Sequence, residues 1–202
     1  MGPQDAQMER ILQAALATPE GTQLMHYLTK TESVPIMKMA DLGDGVNGQY
    51  TVPGFTDRRY KGPTVELDRF AAATKKDGGV GTLLHELTHA AESGITRQAM
   101  ARRPDPQLRD AYSKMRFNLD AMHGDPNKYP SEAAAQKMAP QWSKERQDYR
   151  AGATELHAFG VGNSASPKGA STKGPSHLDS TMATEFMILL DLATRAADKK
   201  AK

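Results

Sequence analysis

At 202 residues, 38% of them apolar, the chain has the size of one ordinary domain with enough hydrophobic material for a core. It contains no cysteine, which excludes disulfides, thiolate catalysis and every cysteine-based zinc site, and leaves His, Asp and Glu to hold any metal. Its 26 basic and 24 acidic residues give a net charge of +2, scattered except for the KKAK tail, which argues against nucleic acid or a membrane surface as a partner.

No run approaches the roughly 18 consecutive apolar residues of a membrane span. The opening MGPQDAQMERILQAAL lacks the basic-then-apolar pattern of a cleaved secretory signal. The expectation is one soluble domain over 1–202, with no standard signal.

The first 30 residues read as helical, with Met8, Ile11, Leu12, Ala15 and Leu16 on one face and a second short helix over Thr22 to Thr29. From Val34 to Arg69 the runs VPIMKMA, QYTV and TVELDR are strand-like and separated by turn-rich segments. Asn47-Gly48 carries the signature of a type I′ hairpin turn. After Gly78-Gly79, the apolar spacing predicts a helix over Val80 to Ser93 ended by Gly94 at C′. Further helices are predicted over Gln107 to Met122, over Ser131 to Val161 with a break or kink at Pro140, and over Leu178 to Ala197. Residues 162–177, rich in Gly, Ser, Lys and Pro, read as a flexible loop. The fold class this predicts is α+β, mainly helical, with a small sheet beside an active-site helix.

That helix contains Leu84-His85-Glu86-Leu87-Thr88-His89, an H-E-x-x-H sequence. Residues four apart share a helix face, so the two imidazoles can reach one cation at roughly 2.0–2.1 Å. Glu86 stands about 100° round the helix, where its carboxylate can meet water on the metal without ligating it. Shuffling this composition yields the pattern roughly 0.007 times, so chance is a poor explanation. A catalytic zinc ion takes three protein ligands and keeps one position open, so one ligand is still to be found. The H-x-x-G-x-x-H extension fails at Glu92 and Ile95, which leaves an acid from a second helix. Glu155 is the leading candidate, because it sits in an apolar helical setting with small neighbours Gly152, Ala153 and Ala158 that permit close helix packing. His157, Asp148, Asp120, His123 and Glu92 are the other candidates.

Zn2+ so held lowers the pKa of its water toward about 7, Glu86 acts as general base, and the proton passes to the leaving amine. An electrophilic helper for the oxyanion is expected from Tyr149, Arg150, His157 or His177, with Tyr149 favoured, and Glu92 is a candidate acceptor for the ligand imidazoles. Trp142, the 11 methionines and the pairs Arg102-Arg103 and Lys75-Lys76 read as packing or solvated surface.

TVELD, LLHELTHA and the later ELHAFGVGN together resemble the NleD-like effector family of zincin metallopeptidases, over roughly Thr64 to Gly94 and Tyr149 to Asn163. The resemblance implies a zinc endopeptidase delivered as an effector or toxin by a specialised secretion machine that needs no cleaved signal, and acting on proteins inside a target cell. A secretion-system component, a chaperone or an immunity protein are the partners it implies, and a cytoplasmic location is the alternative. By analogy with zincins, the strand Thr64 to Asp68 would pair with an extended substrate peptide. Two alternative functions are a zinc amidase or peptidase acting on cell-wall peptides, and a non-catalytic zinc-containing binding module.

Overall fold

The computed structural model describes residues 3–43, 45–52, 62–123, 153–165 and 177–200. Helix α1 (Pro3–Leu16) buries Met8, Ile11 and Ala15, which lie at helical spacing on one face, and leaves Leu16 at the exposed end. Helix α2 (Pro19–Lys30) starts where Thr18 Oγ1 accepts the Gly21 N–H at 3.0 Å and Pro19 supplies a helical φ. Its buried face is Leu24, Tyr27 and Leu28.

Three strands follow: β1 (Ile36–Ala40), β2 (Gly48–Thr51) and β3 (Thr64–Asp68), in the spatial order β1-β3-β2. The successive strands β2 and β3 pair antiparallel, with Tyr50 opposite Val65, while β1 pairs parallel to β3 with Met39 opposite Leu67. Asn47-Gly48 is not a type I′ turn: neither residue has a positive φ, and the left-handed positions in this stretch are Gly43 and Gly45. Gly48 opens β2 instead, pressed against the next helix.

The central position of β3 corrects the expectation that it pairs with a peptide, because both its edges are already hydrogen-bonded. Val65 and Leu67 enter the core on one face. On the other face buried Glu66 is neutralised across the sheet by Lys38 Nζ at 2.9 Å and accepts a hydrogen bond from Gln49 Nε2 at 2.6 Å.

Asp68 ends β3 and caps a short helix that sequence periodicity does not reveal, α3 (Arg69–Thr74). One of its oxygens accepts the Ala71 N–H at 2.8 Å and the other accepts the Leu42 N–H at 3.0 Å. These donors hold its carboxyl below the usual range.

Helix α4 (Val80–Ala99) begins after the positive-φ pair Gly78 and Gly79. Asp77 stands in for a side-chain cap, accepting the N–H groups of Gly79 and Gly81 at 3.0 Å each. The helix does not stop at Gly94. It continues a further turn because Gly94 serves packing: a Cβ there would lie 2.7 Å from the Tyr27 hydroxyl of α2.

The remaining helices are α5 (Pro106–His123), α6 (Ala153–Ala165) and α7 (His177–Lys200). The predicted helix over 131–161 is described only from residue 153, and of the predicted loop 162–177, residues 162–165 belong to α6 while 166–176 lie outside the described residues. Asp105 caps the start of α5 and accepts Lys199 Nζ at 2.8 Å, tying that start to the end of α7. Among the described residues, no helix is long and apolar enough to cross a membrane.

The protein is α+β, mainly helical, with one small mixed sheet. Its centre is α4, which touches α1, α2, α5, α6, α7, β2 and β3. Leu83, Leu84, Leu87, Ala91 and Ile95 of α4 join Phe186 and Leu190 of α7 and Leu24 of α2 in the core. Met39, Met115 and Met182 fill that core as the sequence suggested.

Gly94→Ala, which in an open helix stabilises by about 0.5–1 kcal/mol, is expected here to destabilise by about 1–3 kcal/mol through overpacking. Denaturant titration measures it, and the cost should shrink in a Tyr27→Phe background, where the obstructing hydroxyl is gone. Equal costs in the two backgrounds would show that the hydroxyl is not the obstacle.

Candidate metal centre

Helix α4 is enclosed along most of its first four turns, yet there it buries His85, Glu86 and Glu92 and half-buries His89. Such groups persist in a core only when each meets a partner of matching charge. The partner comes from α6. Gly162 lets that helix lie directly on the first turn of α4, since a Cβ at residue 162 would stand 2.6 Å from the Gly81 carbonyl oxygen and 3.5 Å from His85 Cβ. Fully buried Ala158 keeps the same helix slim. Two turns before Gly162 the crossing delivers Glu155.

Glu155 Oε2 lies 3.2 Å from His85 Nε2, Glu155 Oε1 lies 3.3 Å from His89 Nε2, and the two Nε2 atoms are 3.1 Å apart. A cation with tetrahedral bonds of roughly 2.0–2.1 Å needs ligand atoms about 3.3–3.4 Å apart; each imidazole meets its own oxygen of the one carboxylate, and the three separations of this triangle lie close to that range. Glu155 Oε2 is also buried without a hydrogen-bond partner, because its contact with His85 lacks hydrogen-bond alignment. An unsatisfied buried carboxylate oxygen is costly, and a cation shared with the imidazoles would satisfy it. His85, His89 and Glu155 therefore form a group able to hold a metal ion.

The charges are set for ligation. Burial alone would raise the Glu155 pKa, but the His85 and His89 imidazoles close beside it outweigh burial and hold the carboxyl well below the usual range, so it is ionised. The edge of the His85 ring also packs on Phe159 of α6, with centroids 4.5 Å apart, which fixes its orientation.

Glu86 sits beside the triangle and is not part of it. Burial pushes its pKa up to about 7; His89 pulls it down, Glu155 pushes it up, and the Tyr50 N–H and Lys75 pull it down. A carboxylate tuned near neutrality is a competent proton acceptor, and a cation at the triangle would lower it from there. Glu86, His89 and Glu155 line a cleft of about 610 Å³ together with Gly48, Gln49 and Tyr50 of β2.

Two contributors escape sequence reasoning. Gly48 lets β2 close on α4: a Cβ there would stand 2.7 Å from Thr82 Cγ2 and 3.1 Å from both Glu86 Cγ and Glu86 Oε1. The only signal available was a glycine at the head of a strand pattern, which marks close backbone approach. Lys75, which reads as solvated surface, is half-buried and donates to Thr82 Oγ1 at 2.7 Å, one turn before Glu86.

Among the predicted residues, His85, Glu86, His89 and Glu155 come together as expected. His157 does not join them. It is fully buried, with Nδ1 3.4 Å from Glu92 Oε1 and Nε2 3.9 Å from Glu185 Oε2, so it is neither a ligand nor an oxyanion helper. Glu92 accordingly faces His157 in place of a ligand imidazole. The cause is geometric: two residues beyond Glu155, a helical side chain points about 200° away from it. Tyr149, Arg150, Asp148 and Trp142 lie outside the described residues. Asp120, His123 and His177 lie in helices α5 and α7.

Comparisons of the chain with protein-family models, with curated proteins and with solved structures give no match. Fold and site thus define an α+β domain with a buried His/His/Glu group that opens on a cleft and can hold a metal ion.

Adding divalent metal at about 100 times its dissociation constant is expected to raise wild-type stability by about 2.7 kcal/mol, or about 5–10 °C in Tm for a domain of this size. Calorimetry with added zinc chloride should show this shift in wild type and lose it in Glu155→Ala and His89→Ala. A full shift in either variant would mean that the metal binds elsewhere.

Proposed function

We propose that this chain is a zinc-dependent endopeptidase that works as a delivered effector or toxin, cutting proteins inside a target cell. The observation that carries the enzymatic part is the ligand triangle, which leaves one side open to the cleft while the Glu86 carboxylate stands next to it. Two histidines and a carboxylate with an open fourth position are the donor set of a catalytic zinc, whereas a structural zinc closes all four positions. Delivery into a target cell rests on the likeness of LLHELTHA and ELHAFGVGN to NleD-like effectors.

His85, His89 and Glu155 would hold the ion. When bound, zinc supplies Lewis-acid polarisation of a carbonyl and makes coordinated water more acidic. The chain's own residues do the rest. Glu86 takes the proton of the attacking water, keeps it within a buried pocket, and returns it to the leaving amine. The Tyr50 N–H and the close approach of Gly48 hold the Glu86 carboxylate in one position. The strand available to an extended peptide is β2, which is at the sheet edge among the described residues and lines the cleft.

Metal analysis of wild type and Glu86→Gln, followed by incubation of each with a mixed proteome and mapping of new N-termini, tests this reading. About one zinc per chain is expected in both, with new termini from wild type alone. Zinc in both proteins without cleavage by wild type would remove the peptidase assignment while keeping the metal site.

Gly48→Ala is a subtler probe of the same machinery. It should leave zinc content unchanged and lower kcat by about 10–100-fold through displacement of Glu86, as read from cleavage of any peptide the proteome experiment yields. An unchanged kcat would show that strand β2 does not position the base.

A further inference from the structure

Beyond the metal end, the cleft follows α4 toward its C-terminus, where Ser93, Thr96 and Arg97 complete its wall. Among the described lining residues Arg97 is the one basic side chain other than His89. Its side chain folds back along the helix, as long helical side chains do, and Nη1 donates to Ser93 Oγ at 2.9 Å. That uses one of five guanidinium donors. The guanidinium meets no carboxylate within ion-pair distance among the described residues, while the nearby Glu92 carboxylate is turned toward His157. An exposed arginine with a free donor edge, aimed into a cleft, is suited to bidentate recognition of a carboxylate.

We propose that Arg97 forms a carboxylate-binding subsite, so that the favoured peptide carries a negative charge about two to three residues from the bond that is cut. This rests on the peptidase reading above and specifies its substrate class. The spacing follows from the helix: Ser93, over which the guanidinium sits, is four residues past His89, or about 6 Å along the axis. An extended peptide covers about 3.3 Å per residue, so it spans that length plus the offset to the metal in two to three residues. The carboxylate can belong to an Asp or Glu side chain or to the free C-terminus of a short peptide, because both offer the same planar pair of oxygens.

A proteome-derived peptide library, half of it with amidated C-termini, is digested with wild type, Arg97→Ala and Arg97→Glu, and residues around each cut are tallied by mass spectrometry. Wild type should enrich acidic residues, or unblocked chain ends, at about that spacing; Arg97→Ala should reduce the acidic-to-neutral ratio about tenfold, and Arg97→Glu should favour Lys and Arg there. Loss of the preference on amidation identifies the chain terminus as the anion, and its persistence identifies a side chain. Independently of turnover, fluorescence anisotropy on zinc-loaded Glu86→Gln should show a favoured peptide binding about tenfold tighter than its Glu→Gln counterpart, a difference that Arg97→Ala abolishes. Cleavage by wild type with no acidic preference, or a preference that survives Arg97→Ala, overturns the subsite and leaves the peptidase intact. A zinc-loaded wild type that cuts nothing in the library removes the peptidase reading and the subsite with it.

Discussion

Where α6 crosses α4, the Gly81 carbonyl oxygen stands 2.6 Å from the place a Cβ at residue 162 would occupy. No residue but glycine fits there without moving one helix off the other. Because the helices are that close, a glutamate two turns earlier on α6 reaches two histidines on α4 with separations of 3.2 and 3.3 Å. Widening the gap by even 1 Å would turn the ligand triangle into three unpaired polar groups in an apolar core, each with its own desolvation cost. The charged centre is therefore a consequence of backbone contact between small residues.

The same logic orders the rest of the molecule around α4. Tyr27 presses on Gly94 from α2, β2 presses on Thr82 and Glu86 through Gly48, and Asp77 secures the first turn. Each contact fixes the rotation of α4 about its own axis, which decides where the imidazoles point. Behind the ligand group, buried Glu92 and His157 and half-buried Glu185 form a polar line joining α4, α6 and α7. Burial would lower the His157 pKa, but Glu185 and Glu92 together outweigh it and raise it, which favours the protonated ring between the two acids.

How much of this the sequence discloses depends on whether a feature is local or tertiary. The helix bearing His85, Glu86 and His89 is legible because periodicity, motif and the preceding Gly78-Gly79 break all lie within about 20 residues of chain. Glu155 is legible more indirectly, from an acid set among small and apolar neighbours. Gly94 and Gly48 mislead for a common reason: glycine is read as a stop or a turn because of its φ freedom, whereas here it is chosen for its missing Cβ, and the atoms that demand this come from α2 and α4. Strand order is similarly hidden. The alternation in TVELD says strand, but only assembly puts it between β1 and β2 and so denies it a free edge. The capping role of Asp68 emerges only in the fold, because the residue also ends strand β3.

The chain has no cysteine, yet a cation at the triangle would cross-link it between residues 89 and 155. Closing so long a loop restricts the unfolded chain in the way a disulfide does, and the gain grows with loop length. Such a bridge differs from a disulfide in what breaks it: reductants leave it intact, while chelators and acid open it. A protein stapled this way would keep its cross-link in oxidising and reducing surroundings alike, and its stability would rise and fall with metal supply and not with redox poise.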